Sequence, residues 1–173
     1  MKILIVYATR TGTAAKAAAL LAEYFDGAAV FDLSNKLPDP EGYDAVIFGS
    51  GIRNGRILPP LRKWLSRYWK KIAPVTKGVF ICNAVLDESP EIMKENFSLE
   101  LRNSSAAVDS FGGELNPRKL RSRELIFMNP AVRKLAAGDS QEFVPCLLPD
   151  RIGHFAEEIQ DALKAKAAKA DSR

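Results

Sequence analysis

The chain has 173 residues, 47% hydrophobic and 27% charged, with a formal net charge of +4; this is the balance of one globular domain large enough for a full core. No apolar run approaches the roughly 20 residues that cross a bilayer, and the chain opens directly on strand sequence, so neither a membrane span nor a leader peptide is expected. Two cysteines (Cys82 and Cys146) form no disulfide framework and no metal-ligand spacing, a single histidine (His154) argues against a His-based triad or a zinc site, and this usage fits a reduced cytoplasmic interior.

Ile3 to Tyr7 is an unbroken apolar run, the pattern of a strand buried on both faces of a sheet, and strand 1 is read at 2–7. It ends in the hydroxyl-rich turn Thr9-Arg10-Thr11-Gly12-Thr13, followed at once by an Ala-rich helix read at 14–26. Strand, polar Gly turn and helix N-terminus make a phosphate cradle: outward amides, a positive dipole end and threonine hydroxyls all favour an anion. The turn lacks the glycines of a dinucleotide fingerprint or a Walker A loop, which points to a monophosphate. The plain alternative is an ordinary strand-to-helix turn with a capping threonine.

Strand 2 is read at 29–33, then a Pro-containing loop through Gly42, then strand 3 at 44–49. Helix 2 starts at Pro59 or Pro60, a helix-start signal, and ends at Ile72. Leu61, Trp64, Leu65, Tyr68 and Ile72 share one face at helical spacing and are read as core, with Trp69 off that face. Strand 4 is read at 77–83. Helix 3 runs from the cap Ser89-Pro90 to about Asn103, and strand 5 from 107 to 114. The stretch 115–139 is irregular, with a helix around 121–136 interrupted near Asn129-Pro130. A final helix starts at Asp150, with Ile152, Phe155, Ile159 and Leu163 inward and His154 on the surface. Residues from Lys164 read as a polar tail, frayed at 169–173, so a single domain covers 1–168.

The net charge hides an asymmetry. Residues 53–71 hold seven cations and no acid, and 118–134 hold six cations against Glu124, leaving −8 for the rest of the chain. Basicity this local points to an anionic partner. No nucleic-acid recognition motif accompanies it. The basic, apolar stretch 118–135, with Leu125, Ile126, Phe127, Met128, Val132 and Leu135, has the composition of a segment lying on an anionic membrane surface, or of one packing on the sheet edge.

Strands alternating with helices predict a doubly wound α/β fold, a parallel five-stranded sheet of order 2-1-3-4-5 with helices on both faces. Ligands of such sheets sit beyond the carboxyl ends of the strands at the switch point, a rule whose standard illustration is the flavodoxin fold itself. The chain resembles the flavodoxin superfamily, whose first loop reads roughly Thr/Ser-x-Thr-Gly-x-Thr and wraps the phosphate of FMN. Here it is Thr9-Arg10-Thr11-Gly12-Thr13-Ala14, with the last hydroxyl replaced by Ala14. The resemblance implies FMN held by these six residues, by the first ring loop Ser50, Gly51, Ile52, Arg53, Asn54 and Gly55, and by the second, Asn83, Ala84, Val85 and Leu86.

Neither ring loop carries the aromatic residues that stack the flavin in many flavodoxins. The chain is similar in particular to the menaquinone-dependent protoporphyrinogen dehydrogenase group, with its Thr-Arg-x-Gly first loop, Ser-Ile-Arg-x-Gly second loop, basic helix 2 and long basic insertion. That resemblance implies an FMN-dependent oxidoreductase for a porphyrinogen-like anionic substrate, with Arg53 and Arg56 as substrate contacts, a quinone as acceptor, and a cytoplasmic protein peripheral on the inner membrane face through 118–135. The alternatives are an FMN electron-transfer module with a protein partner, and a flavodoxin-fold protein that has lost its flavin.

Overall fold

The computed structural model of the chain describes residues 1–114 and 146–171. The elements in order are β1 (Ile3–Ala8), α1 (Thr13–Ala22), β2 (Ala29–Asp32), β3 (Ala45–Arg53), β4 (Arg56–Ile57), α2 (Pro59–Ile72), β5 (Thr76–Cys82), a 3-10 turn (Leu86–Glu88), α3 (Ser89–Asn96), α4 (Leu99–Asn103), β6 (Ala107–Ser110) and α5 (Pro149–Asp171). The parallel strands lie in the order β2-β1-β3-β5-β6, with β4 antiparallel to the end of β3. This is the expected 2-1-3-4-5 order with one short strand added.

The unbroken apolar runs are explained by burial on both sides. Ile3 and Ile5 of β1, Ile47 of β3 and Phe80 of β5 face α1 and α5, meeting Leu21, Phe155 and Ile159. Leu4, Val6, Val46, Phe48, Val79 and Ile81 face the other way, onto α2, α3 and α4. In α2, Leu61, Trp64, Tyr68 and Ile72 are buried as the spacing predicts, while Leu65 and Trp69 are half-buried. The Trp64 indole donates from Nε1 to the Pro38 carbonyl at 2.8 Å, so the loop after β2 is fastened to α2. At the amino-terminal sheet edge the buried Lys77 ammonium donates to the carbonyls of Ala73, Val75 and Ser104 at 2.9, 3.2 and 3.1 Å. Ala73 and Ser104 end α2 and α4, where unpaired carbonyls and the negative dipole end favour a cation.

Several boundaries differ from expectation, each for a local reason. Helix α1 stops at Ala22, and tight i→i−3 bonds carry the chain from Glu23 to the buried Phe25. The helix expected over 89–103 is two helices. Phe97 is extended (φ −129°) so that its ring reaches the core against Phe48, and the Ser98 hydroxyl restarts the helix by accepting from the Leu101 amide at 3.2 Å. Ser89 does not cap α3; its hydroxyl donates to Ser110 Oγ at 3.0 Å. The strand expected over 107–114 ends at Ser110, and Gly112 forms an antiparallel bridge with Leu147. Helix α5 starts at Pro149 with the predicted inner face buried, and it stays helical to Asp171 through the stretch read as a polar tail. The insertion read at 115–139, with its helix and its cations, lies outside the described residues.

Candidate functional site at the carboxyl edge of the sheet

Strand register sets the site. Ala8 pairs with Ser50, and Gly51 pairs with Cys82, so the chain leaves β1, β3 and β5 side by side at one sheet edge. Adjacent strands lie about 4.8 Å apart, and the segments after them therefore form one continuous rim.

The first segment is the expected cradle. Gly12 takes φ 96°, which a residue with a Cβ adopts only under strain. Its amide donates to Thr9 Oγ1 at 3.0 Å, folding the turn back on itself. The first α1 bond runs from the Lys16 amide to the Gly12 carbonyl, so the amides of Thr13, Ala14 and Ala15 precede it and have no partner within the helix. Thr11 Oγ1 and Thr13 Oγ1 stand 3.4 Å apart, and Arg10 is exposed at the turn. Ala14 is fully buried with Ala17, Ala18 and Leu21. Position 14 therefore offers an anion its backbone amide only, and its methyl belongs to the core.

The second segment corrects the sequence reading. Residues 49–55 are not a loop: β3 continues to Arg53 and pairs with β4 through the turn Asn54-Gly55, both with positive φ (51° and 70°). Asn-Gly between paired residues is the strongest short-range hairpin signal, and it was present in the sequence. Ser50 is fully buried. Its hydroxyl donates to the Gly51 carbonyl at 2.7 Å and accepts from the Leu58 amide at 2.9 Å, so this side chain locks the hairpin base. Ile52 pairs with Ile57 and packs on the α2-side core. Gly51 borders open space, and no atom lies within 4 Å of where a Cβ would stand. Arg53 and Arg56 are cross-strand partners and both are exposed. Like charges directly opposite on a hairpin repel, and the pair concentrates positive charge at the rim.

The hairpin has a clamp that sequence reasoning did not single out. Asn96, at the end of α3, accepts from the Ile57 amide through Oδ1 at 3.0 Å. Its Nδ2 donates to the carbonyls of Gly55 at 2.7 Å and Ile92 at 2.8 Å. No local pattern announces a bond across about forty residues.

The third segment, Asn83–Leu86, is half-buried throughout. Asn83 Nδ2 donates to the Val85 carbonyl at 2.6 Å, and a 3-10 turn follows. Gly113, after β6, lies against it: a Cβ there would stand 2.7 Å from the Ala84 nitrogen. Glu114 then accepts from Lys16 of α1 at 2.7 Å, tying the segment after β6 to the cradle helix. Cys82 ends β5 in the core, where burial, with the Glu114 charge adding, pushes its thiol up to about 12. It stays a protonated core residue. Cys146 and His154 are exposed, the latter 3.4 Å from Glu157. Among the described residues no group of three His, Cys, Asp or Glu side chains is placed to hold a metal ion. No helix among them is long and apolar enough to cross a membrane.

A parallel sheet whose switch-point strands carry such a rim defines a class of ligand-binding α/β domains. The sequence matches the flavodoxin domain family over residues 4–141, and the chain belongs to that family. No curated protein sequence matches it. Among solved structures it is similar to the rubredoxin oxygen:oxidoreductase of Desulfovibrio gigas, at 20% identity and TM-score 0.59, over 96% of this chain and 37% of that one. It is also similar to the Fusobacterium nucleatum flavodoxin bound to flavin mononucleotide, at 13% identity and TM-score 0.53, over 93% of this chain and 98% of that one. The Flv1 flavodiiron core of Synechocystis sp. PCC6803 follows at 12% identity and TM-score 0.51, over 94% of this chain and 36% of that one. At these identities the likeness is one of fold. The chain spans little more than a third of the rubredoxin oxygen:oxidoreductase and of the Flv1 core, and nearly the whole of the flavodoxin.

Proposed function

We propose that this chain is an FMN-dependent redox flavoprotein. The observation that carries the reading is the alignment of the Thr9–Thr13 cradle, the β3–β4 hairpin and the Asn83–Leu86 segment along one sheet edge. The donor set suits a phosphate monoester. Residues 9–16 offer outward amides, three threonine hydroxyls and the exposed cation Arg10, while Lys16 is engaged by Glu114 at 2.7 Å. Thr9, Arg10, Thr11, Gly12, Thr13 and the Ala14 amide hold the phosphate. The open backbone at Gly51 and the segment 83–86 receive the ring. Bound FMN supplies the electron-transfer chemistry, and the protein supplies position and electrostatics.

The finer reading is an oxidoreductase that draws electrons from an anionic, porphyrinogen-like substrate and passes them to a quinone. Its support is the exposed Arg53–Arg56 pair at the rim, suited to carboxylates, together with the similarity of the first two loops and the basic helix to the protoporphyrinogen dehydrogenase group. Peripheral membrane contact through 118–135 belongs to the same proposal. A second reading, an electron-transfer module with a protein partner, is favoured by the exposed cations of α2. An anaerobic experiment separates the two. Bleaching of the FMN-loaded protein by protoporphyrinogen and recolouring by menaquinone is the result expected of the oxidoreductase. FMN binding without bleaching leaves the electron-transfer module.

A further inference from the structure

We propose that the outer face of α2, continuous with the β3–β4 hairpin, is a docking surface for a carboxylate-rich redox protein. The inference rests on the flavin reading of the site and deepens its second form by naming the chemistry of the partner.

The cations of this region face solvent. Arg62, Lys63, Arg67 and Lys70 are exposed on α2, while its apolar side is sealed in the core. Of these, Arg67 acts on a nearby acid: the Lys71 hydrogen bond, with the Arg67 charge adding, holds the Asp39 carboxyl below its usual range. Lys71 is taken by Asp39 and Glu41 at 2.8 and 2.6 Å, and Arg67 lies over the Tyr68 ring at 5.3 Å. Arg62, Lys63 and Lys70 make no ion pair with any described residue. Arg62 and Lys70 are about 12 Å apart along the helix axis at 1.5 Å per residue. Only Leu58 separates β4 from α2, so the stripe runs into the rim at Arg56. A body seated on it reaches the edge of the flavin site.

The surface chemistry chooses among anionic partners. A helix that enters a membrane interface turns an apolar face to the lipid. The apolar face of α2 is buried, and the exposed large apolar residues described (Met1, Tyr24, Val30 and Leu99) lie elsewhere. Single-stranded nucleic acid is held by exposed aromatic rings between cations, whereas Trp64 and Tyr68 are buried and Trp69 is half-buried against the core. What is left is a polar, positive surface beside a redox site. That is complementary to a negative protein surface and steers its approach.

The test uses an acidic [2Fe–2S] ferredoxin as probe, against both the apoprotein and the FMN-loaded protein. The parent is expected to bind it with an association rate that falls about tenfold or more as salt rises from about 20 to about 200 mM. The triple variant R62E/K63E/K70E is expected to lose ferredoxin binding about tenfold or more and to gain binding of basic cytochrome c, with FMN affinity and circular dichroism unchanged. The neutral variant R62Q/K63Q/K70Q is expected to fall between the two. Ferredoxin binding that is equal in parent and variants overturns the proposal. So does a parent that binds phosphatidylserine vesicles or a DNA oligonucleotide but not ferredoxin. Charge-dependent binding by a protein that takes no FMN overturns the flavin reading and keeps the docking surface.

Discussion

Thr9, Gly12 and Ser50 fix the shape of the rim through bonds to backbone, and the hydroxyl of Thr11, 3.4 Å from that of Thr13, is the side-chain donor proposed for the phosphate. Thr11→Ala is expected to weaken FMN binding by about 1.5–3 kcal/mol, the range for a hydrogen bond to a charged group, and to leave riboflavin binding unchanged. Titrations of the two flavins measure this, and equal affinity of parent and variant for FMN would make Thr11 a turn residue only. Cys82 gives a second residue-scale expectation. Its thiol pKa is raised to about 12, so at pH 8.5 it holds almost no thiolate. A thiol reagent at that pH should label the exposed Cys146 in the native protein and both cysteines in denaturant. Rapid native labelling of Cys82 would contradict its placement in the core.

At the scale of elements, the hairpin is the part of the site that depends most on its neighbours. Asn96 bonds to it at the Ile57 amide of β4 and at the Gly55 carbonyl of the turn. Asn96→Ala leaves those groups without their partner and should cost about 1–3 kcal/mol of stability, read by urea unfolding. It should weaken FMN and riboflavin alike, because it loosens the segment that borders the ring and spares the phosphate cradle. Cradle, core faces and strand order were legible in the sequence because each is local or periodic: alternate residues of β1 sort onto two cores, and α2 carries its apolar face at helical spacing. The hairpin was missed because Gly49-Ser50-Gly51 reads as a turn, although Asn54-Gly55 marked where the turn lies. The break at Phe97 was hidden for another reason, since it is driven by the packing of one ring against Phe48. The Asn96 clamp and the Lys16–Glu114 pair join residues far apart in sequence, and no local pattern encodes them.

In the whole molecule, two cores sandwich one sheet and the charge is sorted over the outside. Trp64 joins layers by packing near Phe48 and bonding to Pro38. Trp64→Ala should destabilise the fold by about 3–5 kcal/mol, the cost of a large aromatic cavity, as a lower urea midpoint. The charge asymmetry was fully visible in the sequence, but its use was not. The structure separates Lys71, engaged with Asp39 and Glu41, from Arg62, Lys63 and Lys70, which are exposed along α2, the first two near the hairpin and Lys70 toward the helix's far end. The central claim is that this rim holds FMN by its phosphate. The most direct measurement is a paired fluorescence titration of the protein with FMN and with riboflavin, which lacks that phosphate. The account predicts saturable one-to-one FMN binding and riboflavin binding weaker by about a hundredfold, or about 2.7 kcal/mol. Equal affinity for the two, or no binding of either, would contradict it.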